Sequence, residues 1–293
     1  MKNILISIFV MLLLSSCSSC VDTKSQNRYL TYQNIVILSD MSSRLDNKPS
    51  KDISEIHKIV QFFKNECVKP GEKIGDKSSI SFSQFSEPAA ISIDLDKIKT
   101  IGKKQQFINS TGKYKNNGLV KQIELFENKT REIYLNKRNK GLDLISLLSE
   151  KIDNESIVKE NKQLMNGIDT TFVNYENHIF IFTDGYLEYL NKDANSQFYF
   201  GNHEIDKVRK SCVANRTIAN VLESYNALCL PINKSPKNQF INLHILETHE
   251  RDKNDKLNTY KHPKGQRDNE ILEAVWRKWA LESGFKSFEW KKY

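Results

Sequence analysis

The chain has 293 residues, of which 39% are hydrophobic and 27% are charged, and its net charge at pH 7 is +8. This length provides one sizeable domain with a full core. The lysines are scattered and no basic helix with interleaved aromatic residues occurs, so we expect a solvated basic surface and no nucleic-acid binding. Attraction to anionic lipid headgroups or cell-wall polymers is the alternative.

The first residues have the features of a secretory signal peptide. Lys2 precedes an unbroken apolar run that is too short for a comfortable membrane span, and small residues follow it. The end of this run, Leu14-Ser15-Ser16-Cys17, resembles the lipobox of bacterial lipoproteins, in which the peptide is cut before an acylated cysteine. The resemblance implies a signal peptide over 1–16 and a lipid anchor on Cys17, whose acyl chains bury enough methylene groups for stable anchoring.

Residues 17–33 are polar and without periodicity, which predicts a lipidated tether. No aspartate follows Cys17 directly, so a resemblance to an inner-membrane retention signal is lacking. A dense acidic cluster like the surface-export signal of some lipoproteins is also lacking. We therefore expect a lipid-anchored protein at the periplasmic face of the outer membrane, with the cell surface as the alternative.

The first half of the domain alternates between strand and helix patterns. Residues 34–39 form an apolar β-branched run, typical of a strand buried on both faces. Residues 53–67 have helical spacing. Residues 79–85 and 90–95 alternate and predict a hairpin-like pair. The basic stretch 97–117 is poorly patterned and predicts a surface excursion.

The second half begins with two predicted helices, 119–135 and 142–152, and residues 154–177 are ambiguous. The remaining predicted elements are a buried strand over 178–183, a helix over 205–227, a strand over 240–246, a charged loop over 251–266, an amphipathic helix over 269–283 and a charged tail over 286–293.

This alternation predicts an α/β fold with three layers, in which a doubly wound, mainly parallel sheet has right-handed crossovers. The hairpin-like pair adds one antiparallel edge strand. No internal repeat is present, so residues 34–293 are expected to form one domain.

Two aspartates follow the strongest predicted strands. Asp40 follows the first strand, and Asp184 follows the strand over 178–183 within Thr-Asp-Gly. Ligands of open α/β sheets collect in the crevice at the carboxyl ends of the strands. The two carboxylates therefore predict a small, oxygen-lined site for a cation or another ligand.

These segments resemble the von Willebrand factor type A family, which carries Asp-x-Ser-x-Ser after its first strand, then a threonine loop, then an aspartate that is often in Thr-Asp-Gly. The resemblance covers residues from about 34 to the C-terminus. It implies a Mg²⁺ or Mn²⁺ ion whose shell is completed by a partner's carboxylate. Asp40 and Ser42 would coordinate the ion, Asp184 would act directly or through water, and Asp143 would lie in the equivalent of the threonine loop.

The chain departs from this pattern at two positions. Arg44 stands at the second serine, and Leu142 stands at the threonine within Gly141-Leu142-Asp143-Leu144. Mg²⁺ requires hard oxygen ligands. An arginine so near the site could pair with Asp40 or Asp184 and take the place of the cation. A metal site and an Arg44–carboxylate network are therefore both open.

We expect a lipoprotein whose domain binds a protein or peptide partner above Asp40 and Asp184 and is not an enzyme. A metal-dependent hydrolase is one alternative, because Gly201-Asn202-His203-Glu204 resembles a segment of calcineurin-like metallophosphatases. The companion segments of that family are missing, and His203-Glu204 also suits the start of a helix. A purely structural envelope protein is the other alternative.

The remaining cysteines, histidines and tryptophans predict packing more than chemistry. The cysteines lack metal-ligand spacing, and for Cys212 and Cys229 a disulfide and two buried thiols are both open. His244 is expected in the core or at a sheet edge. Three tryptophans are expected to pack: Trp276, Trp279 and Trp290.

Overall fold

The structure, a computed structural model, describes residues 27–42, 44, 49–71, 75–136, 141–166, 169–189, 198–212, 216–247 and 250–292. The predicted signal peptide, Cys17 and the first part of the tether lie outside these ranges. None of the described helices combines the length and apolar character needed to cross a bilayer. The chain divides into a large unit, 31–161 with 174–293, and a small unit formed by residues up to 30 with 162–173.

The described strands are β1 (Asn27–Ser39), β2 (Ser79–Gln84), β3 (Ile91–Asp94), β4 (Lys162–Asn166), β5 (Asp169–Phe182), β6 (Ile241–Glu247), β9 (Ser287–Lys292) and a separate short hairpin of β7 (Lys253–Asn254) and β8 (Thr259–Tyr260). The main sheet has the strand order β3-β2-β1-β5-β6-β9, and β4 pairs with β5. Neighbours β1–β2, β5–β6 and β6–β9 are parallel, whereas β3 is antiparallel to β2. Without β4 this is the doubly wound order with one antiparallel edge, which confirms the predicted fold class.

Helices cover both faces of this sheet and complete three layers. The first three pack on one face and the other four on the opposite face. The first helix continues as a π-helical segment, Phe63–Val68. The helices are α1 (Pro49–Phe62), α2 (Ile101–Ile108), α3 (Leu119–Asn136), α4 (Leu144–Asp153), α5 (Asn202–Ser211), α6 (Ile218–Ser224) and α7 (Asp268–Glu282).

The apolar run of β1 contributes side chains to both hydrophobic cores, one on each face of the sheet. Ile35 and Ile37 pack beneath α1 to α3, whereas Val36 and Leu38 pack beneath α4 to α7. Successive side chains of a strand point to opposite faces, so a strand covered on both sides must be apolar throughout. The predicted central strand is confirmed.

The tether predicted over 17–33 is wrong for its last part, because β1 already begins at Asn27. In the small unit, β4 pairs with the start of β5, and Tyr29 stacks on Phe172 with 4.9 Å between ring centroids. These segments are largely polar, with apolar residues that do not alternate regularly, so their sequence pattern hides the strands.

Two helix predictions also need correction. The expected surface excursion contains α2, whose first turn is capped by Thr100 and whose Ile108 is fully buried. The helix expected over 205–227 is two helices. Thr217 accepts a hydrogen bond from Asn220 N at 3.3 Å, so a new N-cap interrupts the apolar spacing.

The predicted charged tail over 286–293 contains the edge strand β9, parallel to β6. Phe288 is buried between the exposed Ser287 and Glu289, so only Phe288 and Trp290 mark the inner side of the strand. Trp290 packs against the core as predicted, and Trp276 and Trp279 are buried as predicted. Cys212 and Cys229 are free thiols.

Candidate functional site

The ends of β1 and β5 form the centre of the candidate site. Asp40 N donates a 2.9 Å hydrogen bond to Phe182 O, so Asp40 and Asp184 follow strand ends that lie side by side. The chain leaves β1 toward one half of the sheet and β5 toward the other. The strand order therefore reverses between them, which is where doubly wound sheets bind ligands. Both aspartates are buried, with 4% and 1% exposure.

The carboxylate of Asp40 is surrounded by hydroxyl and backbone donors. Its Oδ1 accepts from Ser42 N at 3.0 Å, and its Oδ2 accepts from Ser42 Oγ at 3.1 Å. Thr183 Oγ1 also donates to Oδ2, at 3.4 Å. The predicted partners Asp40 and Ser42 are together, and the Ser42 hydroxyl is directed at the carboxylate.

Arg44 lies beneath these groups, with a side chain that is fully buried. Its Nε donates to Asp40 O at 2.9 Å and lies 3.7 Å from Asp40 Oδ2. Its Nη2 donates to Asp52 Oδ2 at 2.8 Å and to Phe182 O at 3.0 Å. One guanidinium thus connects the ends of both strands to the start of α1.

Asp52 is a site residue that was not predicted from the sequence. Its Oδ2 also accepts from Tyr134 Oη at 3.1 Å, and that hydroxyl lies 2.5 Å from Ser39 Oγ. The signal was an acidic residue in the first turn of a helix, which ordinarily reflects only the helix dipole. In the structure, Asp52 also neutralises the charge of the buried Arg44.

Asp184 is engaged by a second arginine, Arg251, which lies in the predicted charged loop over 251–266 and was not predicted at the site. Arg251 Nε donates to Asp184 Oδ2 at 2.7 Å, and Nη1 donates to Glu188 Oε2 at 2.5 Å. The guanidinium carbon lies 3.8 Å from the centre of the Tyr186 ring, within cation–π range. The Arg251 side chain is 39% exposed, so it forms the accessible surface of the site.

The pKa values of Asp40, Arg44 and Arg251 are all raised, but for different reasons. Burial raises the pKa of Asp40, Arg44 lowers it, and the nearby charge of Asp184 raises it, with a net increase. Burial lowers the pKa of Arg44 and Arg251, but their carboxylate partners outweigh it and raise both above the usual value. Both arginines therefore remain charged.

Asp143, the fourth predicted ligand, caps α4. Its Oδ1 accepts from Ser146 N at 3.0 Å and its Oδ2 from Ser146 Oγ at 2.7 Å. Gly141 has a φ of +86°, and a β-carbon there would lie 2.6 Å from Glu188 O. The loop therefore lies against the segment after β5, with the Asp143 carboxylate occupied by its own helix.

The donor set does not fit Mg²⁺ or Mn²⁺. Guanidinium nitrogens lie against Asp40 and Asp184, and the Asp143 carboxylate is used as a helix cap. Within the described ranges, no group of three or more His, Cys, Asp or Glu side chains is placed to hold a metal ion. The predicted metal at this crevice stays a prediction, and the observed contacts are those of an arginine–carboxylate network.

His203, the residue behind the hydrolase alternative, lies in the first turn of α5. Its neighbour Glu204 accepts a hydrogen bond from Gly201 N at 3.1 Å and so caps the helix. This is the helix-start interpretation of the Gly-Asn-His-Glu segment. That the chain is not an enzyme stays a prediction.

Asp40→Asn is expected to raise the free energy of unfolding at pH 7. Because the folded-state pKa of Asp40 is raised, its contribution is complete below the unfolded pKa of about 3.9 and is lost as pH rises through the folded pKa. Asparagine has no charge to desolvate and still accepts from Ser42. Urea unfolding at several pH values should show the gain growing toward neutral pH. A less stable variant at pH 7 would mean that attraction to Arg44 outweighs burial.

Neither a protein-family model nor a curated protein matches this chain. Among solved structures, the pilus adhesin SpaC from Lactobacillus rhamnosus GG, in its open conformation, is similar over 92% of this chain at 11% sequence identity, with a TM-score of 0.37. The chain covers 29% of that adhesin's length. Membership of the von Willebrand factor type A family stays a prediction.

Proposed function

We propose that the chain is a membrane-anchored lipoprotein of the bacterial envelope whose von Willebrand type A-like domain binds a protein or peptide partner. The anchor is acylated Cys17, and the binding site is the crevice above Asp40 and Asp184. The observation that carries this proposal is the pair of buried carboxylates where the strand order reverses.

The crevice recognises its partner through Arg251 in this proposal, with no Mg²⁺ or Mn²⁺ between them. Arg251 is held by Asp184 and Glu188 from one side and rests on the Tyr186 ring. Its exposed edge presents charged donors in a fixed plane, which suits a carboxylate of the partner. Holding the arginine in place beforehand reduces the entropy lost on binding.

A structural envelope protein is the second candidate, favoured by the Arg44–Asp52 network. That guanidinium is buried and hydrogen-bonded to groups of the fold through Nε and Nη2, as a purely structural group would be. The two candidates differ at the surface of the crevice: only the binding candidate requires a partner near Arg251.

Photo-crosslinking in cells tests the binding candidate. A photoreactive lysine analogue replaces Lys253, near Arg251, or Lys286, which precedes β9 at the opposite end of the sheet. We expect one discrete crosslinked protein from Lys253, none from Lys286, and loss of the Lys253 product in Arg251→Ala. Crosslinking that is equal at both positions, or unchanged in Arg251→Ala, overturns the binding site.

Fatty-acid labelling tests the anchor separately. Labelling of the wild-type chain that disappears in Cys17→Ala supports acylation. Equal labelling of both chains assigns the lipid to another residue, and no labelling of either overturns the anchor.

A further inference from the structure

Two histidines face each other on the sheet, away from the crevice. Ile179 of β5 and Leu243 of β6 point into the core beneath α4 to α7. Alternation therefore places His178 and His244 on the opposite face. Both imidazoles are partly accessible, with side-chain exposures of 24% and 15%.

The two rings belong to a chain of polar groups that crosses β9, β6 and β5. His244 Nδ1 lies 2.7 Å from Glu289 Oε2, and His244 Nε2 lies 3.0 Å from His178 Nδ1. His178 Nε2 lies 3.9 Å from Glu176 Oε2. Phe180 stacks on His244 with 4.5 Å between centroids and fixes the plane of that ring.

The positions of the protons on the two imidazole rings follow from this arrangement. An ionised carboxylate only accepts hydrogen bonds, so the proton of neutral His244 lies on Nδ1, facing Glu289, and its Nε2 carries a lone pair. His178 Nδ1 must then donate to that lone pair. Burial and the neighbouring His244 lower the pKa of His178 to about 4, so this ring is neutral at pH 7.

We propose that His178 Nδ1 and His244 Nε2 bind one divalent transition-metal ion of the Zn²⁺ or Cu²⁺ class. A tetrahedral ion with Zn–N bonds of about 2.0–2.1 Å needs roughly 3.3–3.4 Å between the two nitrogens. They are 3.0 Å apart and face each other in a hydrogen bond, so binding requires both rings to turn until their lone pairs point at the ion and the nitrogens separate slightly. The His178 proton moves from Nδ1 to Nε2, toward Glu176, and no net proton is released.

A carboxylate lies near each ligand. Glu289 lies 2.7 Å from His244 Nδ1 and orients that ring, which is the usual outer shell of a histidine-bound metal. Glu176 Oε2 lies 3.9 Å from His178 Nε2 and accepts a hydrogen bond from Gln33 Nε2. Imidazole nitrogens suit Zn²⁺ and Cu²⁺, whereas Mg²⁺ prefers oxygen. Two protein ligands leave positions open for water or for a donor from another molecule. This site does not depend on the crevice at Asp40.

The test uses the untagged full chain in detergent, freed of metal with a chelator. Added Zn²⁺ is expected to raise the melting temperature of the wild type, and Cu²⁺ should give an electron paramagnetic resonance signal with coupling to two imidazole nitrogens. His178→Gln should leave coupling to one imidazole. Glu289→Gln should weaken Zn²⁺ binding by about 10–100-fold.

The matched control is His57→Gln, because His57 is exposed on α1 and its Nδ1 lies 2.8 Å from a carboxylate oxygen of Glu127. This variant should bind both ions like the wild type. The metal-free melting temperatures show whether each variant is folded. The absence of any Zn²⁺ effect on the wild type, or wild-type binding by a folded His178→Gln/His244→Gln variant, overturns the proposal.

Discussion

Asp52→Asn is expected to destabilise the domain by about 3–5 kcal/mol, the cost of leaving a buried charge without its partner. Asp52 is fully buried, and Arg44 Nη2 donates to it at 2.8 Å. Asparagine preserves the shape but removes the negative charge, while the arginine remains charged within the fold. Urea unfolding at pH 7 measures the loss.

A double-mutant cycle tests whether the loss of stability comes from the Arg44–Asp52 pair or from disruption of α1. Arg44→Met alone should also destabilise strongly, because it leaves Asp52 buried without the guanidinium. Combining Arg44→Met with Asp52→Asn should cost clearly less than the sum of the single changes. Glu132→Gln on the exposed face of α3 is the control and should change stability by no more than about 0.5 kcal/mol. Additive losses would show that the two side chains are not coupled.

Gly185→Ala is the second change with a large expected effect. The φ of Gly185 is +82°, and a methyl group there would lie 2.5 Å from Cη2 of Trp290. The left-handed conformation costs a non-glycine residue about 1–2 kcal/mol, and overpacking adds about 1–3 kcal/mol. We expect a loss of about 2–5 kcal/mol in thermal or urea unfolding.

Gly71→Ala is the matched control, since its φ is +92° and nothing lies within 4 Å of the added methyl group. It carries the backbone cost alone, so its loss should be smaller than that of Gly185→Ala. Equal losses would mean that Trp290 moves aside freely. In that case the contact between β9 and the Thr-Asp-Gly turn is easily displaced and contributes little to stability.

The central strands were predicted from their apolar runs, and β2 and β3 from alternation. In β1 the run from Ile35 to Leu38 packs on both faces and is apolar throughout, so it is visible without any knowledge of its neighbours. The edge strand β9 has few residues that face the core, and its charged residues face solvent, so its sequence resembled that of a charged tail. A strand with one exposed face and few inward residues is therefore harder to predict than one that is buried on both faces.

Only the site residues that directly follow a recognisable strand could be predicted from the sequence. Asp40 and Asp184 follow recognisable strands, and the topology brings these strands together. Their partners depend on tertiary contacts: Arg251 reaches Asp184 across 67 positions. No periodicity or spacing in the sequence connects these two residues. Arg44 was recognised as a departure from the family pattern, but its main carboxylate partner, Asp52, was not.

The packing around Gly185 connects the crevice to elements far along the chain. Trp276 Nε1 donates to Gly185 O at 2.8 Å across 91 positions, and the Trp290 ring covers the same glycine. These two tryptophans lie in α7 and β9. The turn that carries Asp184 is therefore supported from both elements, and a change in their packing reaches the crevice without touching either aspartate.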